Sequence, residues 1–242
     1  MKKLIMQGVV FTSMLLAFTE ESEAITLGQI AENVKTSEDG VFGSTELVSH
    51  RGSLPQWQNV MAQMNVELKS YQGCAVNRAA CRTPKMQNWH DMLKSARHAD
   101  PLAKLNTVNR YFNAWKYKTD RESYGVSEHW ATPAEFMNNS GDCEDYAIAK
   151  YFTLNFLGFN DSQMRLVSVV DTIKGIGHSV LAVNAAGSTY ILDNNTNGLF
   201  RDTQYKHYVP KYSVNQSGRW VHARANVKPA RATATQASYI VR

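Results

Sequence analysis

Cys143 stands in the run Gly141-Asp142-Cys143-Glu144-Asp145-Tyr146-Ala147-Ile148-Ala149-Lys150, where a turn glycine gives way to a helix-forming, largely apolar segment. The spacing predicts a thiol at a helix N-terminus, where unpaired backbone N–H groups favour the nucleophilic thiolate. Downstream lie His178, in Gly177-His178-Ser179-Val180-Leu181, and Asp193, in Tyr190-Ile191-Leu192-Asp193, each in a strand-like run. A thiol, an imidazole that moves its proton and an acid that orients the ring are the parts of nucleophilic acyl transfer. Taken alone, His178 reads as an ordinary satisfied histidine. Together with a helix-start cysteine and a hairpin that pairs it with an aspartate, it reads as the general base. In that chemistry Cys143 attacks an acyl carbonyl, His178 moves the proton to the leaving group and then activates the acceptor, and Asp193 keeps the ring oriented. The Cys143 backbone N–H would meet the oxyanion, and Trp130 is a candidate side-chain donor whose alternative role is core packing.

The neighbours of Cys143 oppose that role. Asp142, Glu144 and Asp145 crowd negative charge against the sulfur and disfavour thiolate. Consecutive carboxylates at a loop-to-helix junction could ligate a hard cation such as Ca²⁺. They are equally well placed as acids in a first helical turn. The run is not an EF-hand loop, and its spacing leaves both readings open.

These residues need elements to position them. Leu166 to Val170, Ser179 to Val183 and Thr189 to Asp193 read as three short strands, with Asn184-Ala185-Ala186-Gly187-Ser188 as the hairpin loop joining the last two. A tight loop centred near Ala185 and Ala186 sets His178 and Asp193 close to cross-strand register. Before them come helices. Trp57, Val60, Met61, Met64 and Leu68 recur at helical spacing, as do Met86, Trp89, Met92 and Leu93. Asp100-Pro101 opens a helix through Leu105, Val108, Tyr111 and Phe112, and Thr132-Pro133-Ala134-Glu135 repeats the device with a capping-box glutamate. The helix that begins at Cys143 is apolar nearly all round, which predicts burial at the centre of a domain. Helices first and strands second give an α+β class.

The chain has 242 residues, 43% hydrophobic and 19% charged, enough for one ordinary domain. Lys2, Lys3, an apolar stretch from Leu4 to Phe18 and Ser22-Glu23-Ala24 before Ile25 predict an export signal over residues 1–24. The apolar run is shorter than the ~20 residues of a spanning helix, so no stable membrane insertion is expected. Export into an oxidising compartment bears on the three cysteines: Cys74 and Cys81 are close enough for a small disulfide loop, which would leave Cys143 free. The alternative is that all three are reduced core residues. Without residues 1–24 the 26 bases and 21 acids become 24 and 18, a net of +6, and no acid follows Asp202. The basic excess lacks the pattern of a nucleic-acid binder, and a low-complexity tail is expected over 226–242.

Val108-Asn109-Arg110-Tyr111-Phe112-Asn113, His129-Trp130-Ala131-Thr132-Pro133, Gly141 to Tyr151, Gly177 to Leu181 and Leu192-Asp193-Asn194 together resemble the bacterial transglutaminase-like cysteine proteases of LapG type, over roughly Leu54 to Val221. The resemblance implies a papain/transglutaminase-like domain over 25–225, with N-terminal helices and the nucleophile helix packed on a small antiparallel sheet. It implies a periplasmic, calcium-dependent endopeptidase that clips a large biofilm adhesin near its N-terminus at a di-alanine site. It also implies restraint by an inner-membrane cyclic di-GMP receptor whose periplasmic domain sequesters the protease. The nucleophile, base and orienting acid carry over to Cys143, His178 and Asp193, and the calcium carboxylates to Asp142, Glu144 and Asp145. The Cys74 and Cys81 pair and the basic tail lie outside this pattern. The same triad on another acceptor would make a transglutaminase-like amidase or acyltransferase, and the fold without the chemistry would make a binding module.

Overall fold

Prolines and short polar caps set the helix starts of this chain, as seen in a computed structural model that describes residues 36–49 and 54–224. The helices are α1 (Pro55–Val76), α2 (Pro84–Ala96), α3 (Pro101–Asn113), α4 (Asp120–Ser123), α5 (Pro133–Asn139) and α6 (Cys143–Phe156). The side chains of Thr83, Asp100 and Thr132 accept from the N–H groups of Met86, Ala103 and Glu135, at 3.2, 3.0 and 3.4 Å. Each satisfies an orphan donor of the first turn, and the proline that follows lacks the N–H that would have been another.

The strands are β1 (Thr36–Gly40), β2 (Ser44–Ser49), β3 (Met164–Asp171), β4 (Ile176–Ala185), β5 (Ser188–Leu192), β6 (Phe200–Arg201), β7 (Tyr208–Val214) and β8 (Arg219–Arg224). They form one antiparallel sheet in the order β1-β2-β8-β7-β3-β4-β5-β6. The sheet is thus larger than the three strands read from sequence. β7 escaped notice because Pro210 argues against a central strand. Here Pro210 sits opposite Val169 while Tyr212 sits opposite Ser168, so a register shift absorbs the proline. The basic residues Lys211 and Arg219 lie on β7 and β8.

α6 is the central element, packed on α3, α5, β3 and β4. Its residues from Asp145 to Leu154 are all buried, including Lys150. Trp57 meets Tyr151 edge-on at 5.3 Å and Trp89 meets Phe156 at 5.2 Å, which ties α1 and α2 to the back of α6. Fully burying each such aromatic contributes about 1.5–3 kcal/mol. Leu68, expected in the core, is instead 39% exposed. Among the described residues no helix is long and apolar enough to cross a membrane. The expected export signal over 1–24 and the basic tail over 226–242 lie outside the described residues.

Candidate active site

The β4–β5 hairpin sets the geometry of the imidazole. Its turn is tighter than the sequence suggests. Ala185 pairs with Ser188, leaving Ala186 and Gly187 as a two-residue loop at φ +47° and +76°. Two positive φ values match the twist of an antiparallel pair, and glycine takes the second without a Cβ clash. Leu181 then faces Leu192, so an extended β5 would put Asn195, not Asp193, across from His178. The chain instead turns after Leu192, and Asp193 reaches back: His178 Nε2 lies 2.9 Å from Asp193 Oδ1. The same carboxylate accepts from Asn195 N–H at 2.9 Å and from Tyr208 Oη–H at 2.7 Å, and the Asn195 amide lies 3.1 Å from Nε2. Burial pushes the Asp193 carboxyl up, but the bonds and charge from His178, Asn195 and Tyr208 outweigh it, and the net shift is downward. With the Nε2 proton held by Asp193, Nδ1 is left as the basic nitrogen. Asn195 and Tyr208 escaped the sequence reading; the only signal was their nearness to the strand ends.

Cys143 opens α6 and is the free cysteine among the described residues, because Cys74 and Cys81 form a disulfide. α6, which this residue opens, packs against β4, the strand that carries His178. The thiol itself donates to Glu144 Oε2 at 2.9 Å. Burial pushes the Cys143 thiol far up, and Glu144 and then Asp142 push it further, against the smaller downward pull of Ser179. Burial, and then the acids that surround this sulfur, therefore outweigh the helix terminus. The Trp130 indole N–H donates to Glu128 Oε1 at 3.0 Å, so in this structure it is not a free donor.

The carboxylates assemble differently from the spacing. Asp120, Asp142 and Asp145 bring oxygens within 4.8 Å of one another, and Asp142 and Glu144 flank the sulfur at the same range. Asp120, the first residue of α4, was missed because its link to the others exists only in three dimensions. The segment His129-Trp130-Ala131 serves this cluster through its backbone: His129 N–H donates to Asp120 Oδ2 at 2.6 Å and Ala131 N–H to Asp145 Oδ1 at 2.7 Å. Asp142 N–H donates to Asp145 Oδ2 at 3.2 Å. Glycine is required at 141, since a Cβ there would overlap the Asp145 side chain. Even so, Asp120 Oδ1 and Asp142 Oδ1 are buried with no partner. Burial, then Glu144 and neighbouring acids, raises Asp142 to about 9. Burial also raises Asp145 to about 8, and it raises Asp120. Three crowded acids, two of them with an unpartnered oxygen, fit a hard divalent cation with oxygen preference.

The family profile of the bacterial transglutaminase-like cysteine proteinases matches residues 61–228. A search of curated protein sequences returned no match. Among solved structures, LapG of Legionella pneumophila superposes with a TM-score of 0.55 at 26% identity, covering 62% of this chain and 87% of that one. Its EGTA-treated form gives 0.55 and 26%, covering 62% and 84%. Its calcium-bound form gives 0.54 and 25%, covering 66% and 92%.

Proposed function

The chain belongs to the bacterial transglutaminase-like cysteine proteinases, and from that membership we propose that it is a calcium-dependent endopeptidase acting through Cys143, His178 and Asp193. The observation that carries the reading is the His178–Asp193 bond of 2.9 Å on the strand against which the helix opened by Cys143 packs. Asp193 holds the Nε2 proton, so Nδ1 takes the thiol proton as Cys143 attacks the scissile carbonyl. The resulting imidazolium, stabilised by the same carboxylate, then protonates the departing amine. The imidazole next takes a proton from water, which attacks the thioester and releases the acid. The Cys143 backbone N–H, at the first turn of α6, faces the developing oxyanion.

Calcium is supported by the solved calcium-bound relative and by the donor set of this chain. Asp120, Asp142 and Asp145 would hold it, with Glu144 adjoining. When bound, such a cation neutralises the acids that hold the thiol protonated. His178, Asp193 and the backbone donors carry the chemistry itself.

In this reading the protein works in the periplasm after export, on the N-terminal region of a large surface adhesin, cut at a di-alanine site. An inner-membrane cyclic di-GMP receptor restrains it through its periplasmic domain. The motifs shared with LapG-type proteases support that substrate and that control. The test is to mix the purified chain with exported adhesin N-terminal regions, with calcium or with chelator, and to sequence the new termini. Cleavage between two alanines that disappears in chelator and in Cys143→Ala is the expected result. Undiminished proteolysis by the Cys143→Ala variant would overturn the assignment.

A further inference from the structure

The motif Val108-Asn109-Arg110-Tyr111-Phe112-Asn113 has no place in the chemistry above, yet it sets two amides beneath the site. Asn109 is fully buried, and Asn113 follows about one turn later on the same face of α3. Asn113 Nδ2 donates to the backbone carbonyls of both Asp193 and Thr196, each at 2.8 Å. Asn109 Nδ2 donates to the Thr196 carbonyl at 3.0 Å. Those carbonyls are the two ends of one turn, whose own closing bond from Thr196 N–H to Asp193 C=O is stretched to 3.4 Å. A turn closed by so long a bond is held weakly by itself. It nevertheless carries the Asp193 carboxylate that engages the imidazole, and the Asn195 N–H that donates to that carboxylate.

The oxygens of both amides argue in the same direction. Asn109 Oδ1 and Asn113 Oδ1 are buried without a partner. Packing alone would be served as well by an apolar side chain of similar size, which leaves nothing unsatisfied. What the amides add is donation to the two ends of the turn.

We propose that Asn113, backed by Asn109, is a positioning residue: the pair clamps the Asp193–Thr196 turn so that the Asp193 carboxylate fixes the tautomer and orientation of His178. The inference rests on the reading of Cys143, His178 and Asp193 as the reacting set.

The test uses the full chain and three readouts: alkylation of Cys143 by iodoacetamide at one neutral pH, cleavage kinetics, and the NMR signal of the imidazole proton that His178 shares with Asp193. Asn113→Ala is expected to lower kcat by about tenfold or more with KM within about twofold, because a small misplacement of a reacting group is costly. It should also slow alkylation and move or broaden the imidazole proton. Asn109→Ala should do the same more weakly. In an Asp193→Ala background Asn113→Ala should add less than about twofold to the slowing of alkylation, because its effect passes through the missing acid. A folded Asn113→Ala with wild-type kcat and an unmoved imidazole proton overturns the proposal, as does full additivity with Asp193→Ala. Should Asn113→Ala not fold, Asn113→Ser, which keeps one donor, and Asn109→Ala answer the same question. Alkylation that ignores His178→Ala would instead strike the triad reading itself, a separate failure.

Discussion

Two buried polar clusters in this protein contain residue types that hydrolases use, and they are satisfied to different degrees. One joins β2, β3, β7 and β8. Ser44 Oγ donates to the Val41 carbonyl at 2.9 Å and lies 2.8 Å from His222 Nδ1, while Ser213 Oγ lies 2.9 Å from Nε2. The Ser44 proton is already used, so Nδ1 donates to Ser44 and Nε2 accepts from Ser213. Glu46 accepts from Val41 N–H at 3.1 Å and from Arg165 Nη1 at 2.6 Å. No side-chain atom of these residues is buried without a partner. The other cluster surrounds the start of α6, where Asp120 Oδ1 and Asp142 Oδ1 are unpartnered and the thiol is bonded to an acid. A serine, a histidine and a glutamate in contact thus make a structural strut when every valence is used and the group is sealed. Unspent valences beside a free thiol mark the site proposed to act.

The largest test of that contrast is substitution of the reacting groups. Cys143→Ala and His178→Ala should each lower cleavage by about 10³-fold or more, with melting curves that stay cooperative. The counterpart, His222→Ala, should leave kcat/KM within about twofold while destabilising the fold by roughly 1–3 kcal/mol, read from denaturant titration. An inactive yet stable His222→Ala would reverse the roles given to the two clusters.

Next in size is the carboxylate set. Asp120→Asn should match chelator in effect, raising the calcium concentration needed for half-maximal cleavage by at least about tenfold. Unchanged calcium dependence in that variant would remove Asp120 from the ligand set.

Smaller, but more diagnostic, are the opposite pH slopes of stability. The folded-state values of Asp142 and Asp145, about 9 and about 8, lie above the ordinary carboxylate range. Such acids contribute stability below pH ~4 that is lost as pH rises through their folded values. In chelator, then, the melting temperature should fall from pH ~5 to pH ~9, and calcium should flatten that slope by favouring the ionised acids. His222 moves the other way. Burial depresses its pKa to about 4 from 6.5, so its contribution is complete above pH 6.5 and is lost as pH falls through 4. His222→Phe should remove the acid-side loss alone. A chelated protein whose melting temperature rises toward alkaline pH would contradict the reading of the acids at α6.

Much of the fold was legible in short stretches of chain. The starts of α3 and α5 were written in Asp100-Pro101 and in Thr132-Pro133-Ala134-Glu135, and the buried α6 in an apolar run without a polar face. β3, β4 and β5 were recognisable from their β-branched residues. β7 was hidden by a proline, whose acceptance depends on a register shift against a partner strand. Cys143, His178 and Asp193 were nameable as candidates because each lies in a distinctive local context.

The residues by themselves determined the helix starts, the central buried helix, the hairpin and the identity of a thiol, an imidazole and an acid, because each of those is dictated by near neighbours in the chain. Only the tertiary structure decided that Asp120 joins Asp142 and Asp145, that Tyr208 and Asn195 share the Asp193 carboxylate, and that Asn109 and Asn113 reach the turn beneath it. Those meetings depend on how separate elements pack, and side-chain hydrogen bonds between elements leave no periodic trace in the sequence that makes them.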